Sequence, residues 1–290
     1  MRVATFNILH GQRVRSAQPG TPLLPAVDPA DLTAVARDLG VDVLGMQEVD
    51  AHQERSGGVD QTKLVADAMA VSDVIPDRLF VPSVSGTPGH RGAFDRADED
   101  LHRAVHDGPR PEHGPLYGVS LISRLPVRSW HRVTFGAPRV SLPLLVPSLP
   151  RPRLLSVPDE PRAVVAAVVE VGPGAHVTVA TAHLSFVPGV NVAQLRRLVS
   201  WLRPFPRPLV LMGDFNLPGA LPELITRWPG VVKGATYPSF GPRVQFDHIL
   251  LDGFSDDAVA RARASVDIRA MDVSDHCAVA ADIPVALPVG

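Results

Sequence analysis

Six short patches of the sequence each run from apolar residues into polar ones, as a buried strand does when it delivers a polar side chain at its end. Together the patches offer carboxylates, asparagines and histidines. That combination of groups suits metal-assisted attack of water on a phosphate ester. The patches are Thr5-Phe6-Asn7-Ile8, Gln47-Glu48-Val49, Thr181-Ala182-His183-Leu184, Gly213-Asp214-Phe215-Asn216, Phe246-Asp247-His248-Ile249 and Ser274-Asp275-His276.

Hydrolysis of a phosphate ester needs a divalent cation, because the substrate is an anion that repels hydroxide. Magnesium prefers oxygen ligands and keeps several waters, so one or two carboxylates are enough to hold it. Glu48, at the end of the predicted strand 42–47, is a natural ligand.

The attacking water must also be oriented or deprotonated, and the phosphate must be held. Asp214 follows an apolar run and is placed to act on the water, with Asn216 two residues further on. A histidine that is held by a carboxylate can stay protonated and bind the phosphate. His276 and Asp247 can form such a pair.

This set of patches resembles the endonuclease/exonuclease/phosphatase superfamily of deoxyribonuclease I-like, metal-dependent phosphoesterases. It looks most like bacterial members known only by superfamily. The resemblance runs from Thr5 to about Val279, apart from two irregular stretches. It implies an α/β fold, a four-layered α/β sandwich in which two face-to-face, mostly antiparallel sheets are flanked by helices. It also implies Mg²⁺ or Mn²⁺ as cofactor and a site at one edge, where strands end.

The resemblance implies a role for each matching residue. Within the family the base is either the aspartate of the Gly-Asp-Phe-Asn patch or the Asp-His pair, and the sequence leaves both open. For the metal, the resemblance implies Glu48 as principal ligand, Asp275 as a second carboxylate nearby, and Asn7 as a hydrogen-bond donor to the catalytic carboxylate or to the metal shell. For the attacking water, it implies that Asp214 activates or orients the water and that Asn216 supports Asp214. For the phosphate, it implies that His183 contacts the scissile group and that Asp247 orients His276, which binds or protonates the phosphoryl group.

Three further residues are predicted to bind substrate: Arg55, Tyr117 and Arg162. Arg55 lies in a segment that resembles the bacterial members, in which this arginine lies near the phosphate site. Tyr117 stands one step from the position of the catalytic tyrosine of abasic-site endonucleases, which is Leu116 here. The aspartate that those enzymes carry two residues after the motif asparagine is Leu9 here.

Aliphatic runs separated by turn signals predict many strands and three helices. Asp28 followed by Pro29 predicts the start of the first helix. Many strands with few helices between them favour two packed sheets with helices outside, in one domain over residues 1–290. The predicted strands lie near 2–9, 42–47, 118–123, 127–135, 162–171, 175–183, 208–213, 246–251, 259–267 and 276–283, and the helices near 29–39, 58–70 and 190–203.

Two stretches interrupt this pattern and are interpreted as irregular insertions, near 83–115 and 136–161. The first is polar, and its His102 and His106 allow a zinc site, although a solvated loop or short helix is the preferred interpretation. The second is rich in proline, which excludes a central strand. We expect an extended strap with buried leucines; the alternative is an exposed apolar loop that meets a membrane or a partner.

The composition narrows the class of substrate. The formal net charge is −2, so the chain lacks the global basic field that nucleic-acid binders often carry. We therefore expect a phosphoesterase acting on a small or lipid-linked phosphate ester. The alternatives are an endo- or exonuclease acting on DNA or RNA and, less favoured, a non-catalytic binding module on the same fold.

The cysteine content and the hydropathy of the sequence bear on disulfide bonds, membrane insertion and cellular location. Cys277 is the single cysteine, which excludes an intramolecular disulfide and a multi-cysteine zinc site. No signal-peptide pattern and no run of about 18 apolar residues occurs. We therefore expect no transmembrane segment, a cytoplasmic location and a monomer.

Overall fold

The computed structural model describes residues 1–14, 27–88, 94–137, 141–146 and 153–285, with the backbone alone for 141–146 and 153–158. The strands are β1 (Arg2–Asn7), β2 (Val43–Ala51), β3 (Asp77–Gly86), β4 (Phe94–Arg96), β5 (Leu116–Ser123), β6 (Val127–Phe135), β7 (Ser141–Val146), β8 (Arg153–Pro158), β9 (Arg162–Gly172), β10 (Ala175–His183), β11 (Leu209–Asp214), β12 (Asp247–Asp252), β13 (Asp267–Ala270) and β14 (Cys277–Asp282). The helices are α1 (Pro29–Leu39), α2 (Gln61–Met69), α3 (Glu99–Ala104), α4 (Val190–Leu202), α5 (Leu221–Thr226) and α6 (Asp256–Ala264).

Most of these strands form two mixed sheets. Sheet 1 has the order β13-β14-β1-β2-β5-β3-β4, and sheet 2 has the order β12-β11-β10-β9-β6. The pairs β1–β2 and β10–β11 run parallel, and the other neighbouring pairs run antiparallel. The strands β7 and β8 form a separate two-stranded sheet.

Apolar side chains fill three layers. Val43, Val165 and Val210 belong to the buried layer between the two sheets. Met69 packs on the outer face of sheet 1 and Leu198 on the outer face of sheet 2, so helices cover both outer faces. Burying one such side chain contributes about 1.5–3 kcal/mol. This helix–sheet–sheet–helix order confirms the predicted four-layered sandwich.

The two sheets come into direct contact beside the strand ends. A Cβ on Gly45 of β2 would lie 2.6 Å from Thr181 Oγ1 of β10, so only glycine fits there. Gln47 Nε2 donates to Thr181 Oγ1 at 2.8 Å and to Thr5 Oγ1 at 3.1 Å. This buried clamp fixes β1, β2 and β10 relative to one another, next to the polar patches.

The first helix begins where its capping residues predict. The Asp28 side chain accepts a hydrogen bond from Ala30 N at 2.9 Å, and Pro29 is the first helical residue. The helix ends before Gly40, whose φ of 57° suits a left-handed C-cap.

The prediction of a strand near 259–267 is wrong, because helix α6 covers most of this segment. Ser255 caps the helix by accepting from Ala258 N at 3.3 Å. Val259 and Ala262 are buried on its inner face. Alternation of small apolar and charged residues suggested a strand, and the serine cap is the local signal that outweighs it.

The stretch 83–115 is more regular than predicted. It contains the end of β3, strand β4 and helix α3, and β3 itself was absent from the predicted strands. His102 is buried and its Nε2 lies 2.8 Å from Pro82 O, whereas His106 is exposed. This contact assigns His102 to packing against β3, so the structure gives no support to the alternative of a zinc site, and the preferred interpretation of a short helix agrees with α3.

The stretch 136–161 contains the antiparallel pair β7–β8, in which Leu144 lies opposite Leu155 and Leu145 opposite Leu154. The side chains of this pair lie outside the described residues, so the burial of its leucines stays a prediction. Among the residues that the structure describes, no helix is long and apolar enough to cross a membrane.

Candidate active site

The polar patches meet along one edge of the sandwich, where strands of both sheets end, and we call the row of side chains that they form the cleft. Across the sandwich, β1 lies against β11 and β12, β2 against β10 and β11, and β5 against β9 and β10. Because the strand orders match in this way, the cleft has two ends and a middle. We call them the Asp–His end (Asp214, Asp247, Asp275 and His276), the middle (Asn7, Glu48, His183 and Asn216) and the Arg–Tyr end (Arg55, Tyr117, Glu160 and Arg162).

Asn7, the last residue of β1, connects the two sheets in the middle of the cleft. Its Nδ2 donates to Glu48 Oε1 at 2.9 Å and to Asp214 Oδ2 at 3.0 Å. Its Oδ1 accepts from Leu9 N at 3.1 Å, which fixes the orientation of the amide. Asn7 therefore holds a carboxylate of sheet 1 and a carboxylate of sheet 2 in one hydrogen-bonded unit.

Glu48 reaches the cleft from an irregularity in β2. The pairing of β2 with β5 shifts between Met46 and Val49, where three residues of β2 advance against two of β5. Such a shift is a β-bulge, and Glu48 there has a left-handed φ of 57°. Strained backbone of this kind clusters at functional sites. Burial raises the pKa of Glu48, while the hydrogen bond from Asn7 opposes the rise.

Asp214 and Asn216 follow from the geometry of the turn after β11. Gly213, with φ of 146°, lies so close to β10 that a Cβ would stand 2.0 Å from Ala182 O. Asn216 also has a left-handed φ, of 50°, and its N donates to Asp214 Oδ1 at 3.0 Å. Asn216 Nδ2 donates to Leu184 O at 3.0 Å. These hydrogen bonds fix the turn. Asp214 Oδ2 is then the oxygen that accepts from Asn7 and lies near His183 and His276.

The Asp–His end contains a buried ion pair. His276 Nδ1 donates to Asp247 Oδ2 at 2.9 Å, and His276 Nε2 lies 3.6 Å from Asp214 Oδ2. Burial alone would lower the pKa of His276, but Asp247, Asp214 and Asp275 outweigh burial and raise this pKa well above its ordinary value. Burial, opposed by His276, raises the pKa of Asp214 to about 6. At neutral pH the end therefore holds an imidazolium beside mainly ionised carboxylates.

His183 differs from His276 in charge. It is buried, and its ring nitrogens lie 3.1 Å from Arg162 Nη1. Burial and the positive charge of Arg162 lower the pKa of His183 well below its ordinary value. His183 Nε2 also lies 3.6 Å from Asp214 Oδ2. A neutral imidazole in the middle of the cleft can donate a hydrogen bond to a phosphate oxygen without adding positive charge.

The Arg–Tyr end is built from two arginine–carboxylate pairs, of which Arg162–Asp159 is buried and Arg55–Asp50 is partly buried. Arg55 Nε and Nη2 donate to both oxygens of Asp50, at 2.8 and 2.7 Å. Arg162 Nη2 donates to Asp159 Oδ1 at 2.6 Å, and Asp159 also accepts from the Ser185 hydroxyl. Both cations are therefore held in fixed positions by acids that the sequence analysis did not single out.

Tyr117 and Glu160 complete the Arg–Tyr end. The guanidinium of Arg55 lies over the Tyr117 ring, 5.7 Å from its centre. Burial raises the pKa of Tyr117 well above its ordinary value, and burial raises the pKa of Glu160 to about 7 although Arg162 opposes the rise. The structure brings Arg55, Tyr117 and Arg162 to this end, and their contact with substrate stays a prediction. Glu160 was missed, because it sits in the proline-rich stretch that was interpreted as a strap.

The described residues contain one group that could hold a metal by geometry alone. Asp214, Asp247 and His276 each offer a ligand atom, and these atoms lie within 4.8 Å of one another. Asp247 Oδ1 is buried and has no hydrogen-bond partner in the described chain, which suits a cation contact. A protonated His276 has no lone pair to offer, so the group acts as a metal site only through its carboxylates.

Of the sequence-predicted ligands, Asn7 connects Glu48 to Asp214 of this group, and Asp275 directly precedes His276 in the chain. Burial raises the pKa of Asp275 to about 6 and raises that of Glu48. A hard divalent cation prefers such carboxylate oxygens and stabilises their charged form. The oxygen-rich donor set of the cleft therefore fits Mg²⁺ or Mn²⁺, with Asn7 better placed to orient the carboxylates than to bind metal through its occupied Oδ1.

The sequence matches a known protein family. A family model described as the Endonuclease/Exonuclease/phosphatase family matches residues 4–276. A comparison with curated proteins finds no match.

Several solved structures share the fold at low sequence identity. An endonuclease/exonuclease/phosphatase from Beutenbergia cavernae is 20% identical, with a TM-score of 0.58 over 98% of this chain and 71% of that chain. A mannosyl-6-phosphatase from Bacteroides thetaiotaomicron is 14% identical, with a TM-score of 0.53 over 98% and 100%. The human Nocturnin catalytic domain, solved with a bound sulfate anion, is 15% identical, with a TM-score of 0.54 over 98% and 94%.

Proposed function

The chain belongs to the endonuclease/exonuclease/phosphatase family, and from this premise we propose that it is a divalent-metal-dependent phosphoesterase, which hydrolyses a phosphodiester or phosphomonoester by in-line attack of an activated water. The observation that carries the proposal is the hydrogen-bonded unit around Asn7, whose amide holds Glu48 and Asp214 together. This unit places the expected metal carboxylate beside the expected base.

Asp214 is the base in this proposal. Its carboxylate accepts a proton from the attacking water, while Asn7 and the backbone amide of Asn216 hold its oxygens in place. The Asp247–His276 pair is the alternative base, but its imidazole already carries the proton that a base would have to accept. We therefore assign the proton transfer to Asp214.

His276 and His183 hold the phosphoryl group. The imidazolium of His276, oriented by Asp247, donates a hydrogen bond from Nε2 to a phosphoryl oxygen. His183 is neutral and is held by Arg162 on the other side of the middle. A fixed cation aimed at the developing negative charge stabilises the transition state.

Glu48 and Asp275 are the residues that would hold Mg²⁺ or Mn²⁺, with Asn7 orienting Glu48. When bound, the cation would supply neutralisation of the charge on the phosphate ester. The residues of the chain contribute the hydrogen bonds and proton transfers described above.

A nuclease acting on DNA or RNA uses the same groups and is the alternative. Two observations favour a smaller substrate. The formal net charge is −2, and the cleft arginines Arg55 and Arg162 are already paired with Asp50 and Asp159. Nucleic-acid binding needs cations that are available for several backbone phosphates. We keep a monomer and a cytoplasmic location as parts of the proposal.

The test is hydrolysis of bis-p-nitrophenyl phosphate against increasing Mg²⁺ or Mn²⁺. We expect metal-dependent activity in the parent protein, and in Glu48→Gln a loss of most activity together with a weaker response to metal, because the amide keeps one oxygen but loses the charge. Glu54→Gln is the matched control, since Glu54 is exposed in the next turn. An unchanged metal response in Glu48→Gln would remove Glu48 from the metal site. Nicking of plasmid DNA at a higher kcat/KM would favour the nuclease.

A further inference from the structure

Glu160 differs from Asp50 and Asp159 in its bonding. It precedes β9 by two residues and is half-buried. Its backbone N donates to Asp159 Oδ1 at 2.9 Å, which places it beside the Asp159–Arg162 pair, but within the described chain its carboxylate forms no ion pair within 4.0 Å and accepts no hydrogen bond. Asp50, by contrast, is paired with Arg55, and Asp159 is paired with Arg162 and accepts from the Ser185 hydroxyl. Glu160 therefore offers an acceptor to the cleft.

The Arg–Tyr end also contains hydrogen-bond donors. Arg55 uses its Nε and Nη2 on Asp50, and Nη1 donates to no acceptor in the part of the chain that the structure describes. The Arg55 side chain is 29% exposed. The Tyr117 ring lies beneath this guanidinium, and the Tyr117 hydroxyl stays protonated because burial raises its pKa. The end thus presents both an acceptor and donors.

The charges of this end limit what can enter it. A second anion would face Glu48 and Glu160, and a cation would face Arg55 and Arg162. A neutral group with several hydroxyls avoids both penalties, because each hydroxyl can donate to a carboxylate and accept from a guanidinium. Hydrogen bonds to charged groups are also stronger than those between neutral groups.

We propose that Glu160 is a specificity-determining residue that accepts a hydrogen bond from a hydroxyl of a polyol attached to the substrate phosphate. The polyol is a sugar or a cyclitol ring, bound at the Arg–Tyr end while the phosphate lies in the middle of the cleft. The inference rests on the proposed function for the position of the phosphate.

The test is direct binding, measured by isothermal titration calorimetry on the full chain with Ca²⁺ as a hard cation. The ligands are glucose 6-phosphate, myo-inositol 1-phosphate and phenyl phosphate. We expect the parent protein to bind at least one polyol phosphate at least tenfold more tightly than phenyl phosphate. In Glu160→Ala this preference disappears, while affinity for phenyl phosphate changes less than threefold. Glu160→Gln, which keeps one acceptor oxygen, retains part of the preference.

Glu170→Ala is the matched control, because Glu170 lies at the far end of the same strand and pairs with Arg128. It leaves all three affinities unchanged. Equal binding of all ligands by the parent protein, no binding of any of them, or an equal loss for all ligands in Glu160→Ala overturns the proposal. The two polyol ligands distinguish a sugar from a cyclitol.

The same proteins are assayed for hydrolysis of bis-p-nitrophenyl phosphate, which carries no hydroxyl groups to recognise. A protein that prefers polyol phosphates through Glu160 but hydrolyses nothing would refute the proposed function and leave this inference standing. A protein that hydrolyses the aryl diester but shows no polyol preference would refute the inference alone.

Discussion

The two ends of the cleft are built in different ways. At the Asp–His end the side chains come from the ends of β11, β12 and β14 and bond to one another, as His276 does to Asp247. At the Arg–Tyr end Arg55 comes from a short 3₁₀ helix and Glu160 from an irregular segment, and each arginine is held by an acid outside the cleft. Tyr117 and Arg162 come from β5 and β9, so the Arg–Tyr end combines strand residues with residues of connecting segments. The difference agrees with the proposed roles, in which strand ends carry the chemical step and connecting segments contribute to the choice of substrate.

The largest effect is expected at the Asp–His end. Asp214→Asn removes the group that accepts the proton of water, so we expect kcat to fall on the order of a hundredfold or more. Folding should be retained, because the amide can still accept from Asn7. Asp252→Asn is the control, since Asp252 ends the neighbouring strand and pairs with Arg207 away from the site. If turnover in Asp214→Asn stayed near the parent value, another group would have to be the base. The proposal that the Asp–His end carries the chemical step would then be wrong.

The charge of His276 gives a second test, of similar size in turnover. We expect His276→Ala to lower kcat on the order of a hundredfold. The raised pKa of His276 means that the folded protein binds this proton more tightly than the unfolded chain does. The stabilisation is complete below the unfolded pKa, near 6.5, and is lost as pH rises towards the folded pKa.

That loss is measurable above neutral pH. From about pH 7 upward the metal-free parent protein should lose stability on the order of 1 kcal/mol per pH unit, and His276→Ala should lose this slope. The pKa values of about 6 for Asp214 and Asp275 and of about 7 for Glu160 lie at or below the start of this range, and that of Cys277, raised to about 11 by burial, lies above it. Parallel stability profiles for the two proteins would mean that His276 is neutral.

A smaller effect is expected at the Arg–Tyr end. Arg55→Ala should raise KM about tenfold with little change in kcat, because the guanidinium contacts the substrate away from the reacting atoms. It should also destabilise the fold by up to about 3 kcal/mol, since Asp50 is left buried without its partner. Arg261→Ala, which breaks the exposed pair with Asp257, is the control. A fall in kcat rather than a rise in KM would assign Arg55 to the chemical step.

The smallest effect is expected for Tyr117→Phe. The ring beneath Arg55 is kept and one neutral hydrogen bond to substrate is lost, which corresponds to about a threefold rise in KM. Steady-state kinetics on a substrate that the parent protein hydrolyses measure this directly. A hundredfold fall in kcat would show that the hydroxyl acts on the phosphate in the transition state, and the two ends would then share the chemistry.

The Asp–His end could be predicted from the sequence and the Arg–Tyr end only in part. Asn7, Asp214 and Asp247 stand directly at the ends of apolar runs, where strand periodicity marks the boundary of the element. Glu160 lies between Pro158 and Pro161, where no periodicity exists. The roles of Asp50 and Asp159 depend on contacts that only the folded chain creates.

The fold itself was predictable where pattern and local signals agree. Strand β11 and helix α1 have clear apolar runs and caps. Helix α6 was mistaken for a strand, because its nine small apolar and charged residues fit both the 3.6-residue period of a helix and the two-residue period of a strand. Strand β3 was overlooked because Pro82 and the polar residues after it read as a loop, whereas pairing with β5 decides its conformation.

The bulge in β2 bears on how such a site is lost in evolution. Before the bulge, Leu44 and Met46 pack on the outer face of sheet 1, beneath the helices, and after it Val49 and Ala51 do so. The inserted residue therefore shifts the inward–outward alternation of side chains by one position. An in-frame deletion of the Glu48 codon would restore unbroken alternation and keep every apolar side chain on its face. The single genetic event that makes this strand most regular is therefore one that removes the proposed metal carboxylate, so we expect a variant that folds but lacks the proposed metal ligand to lie one codon away.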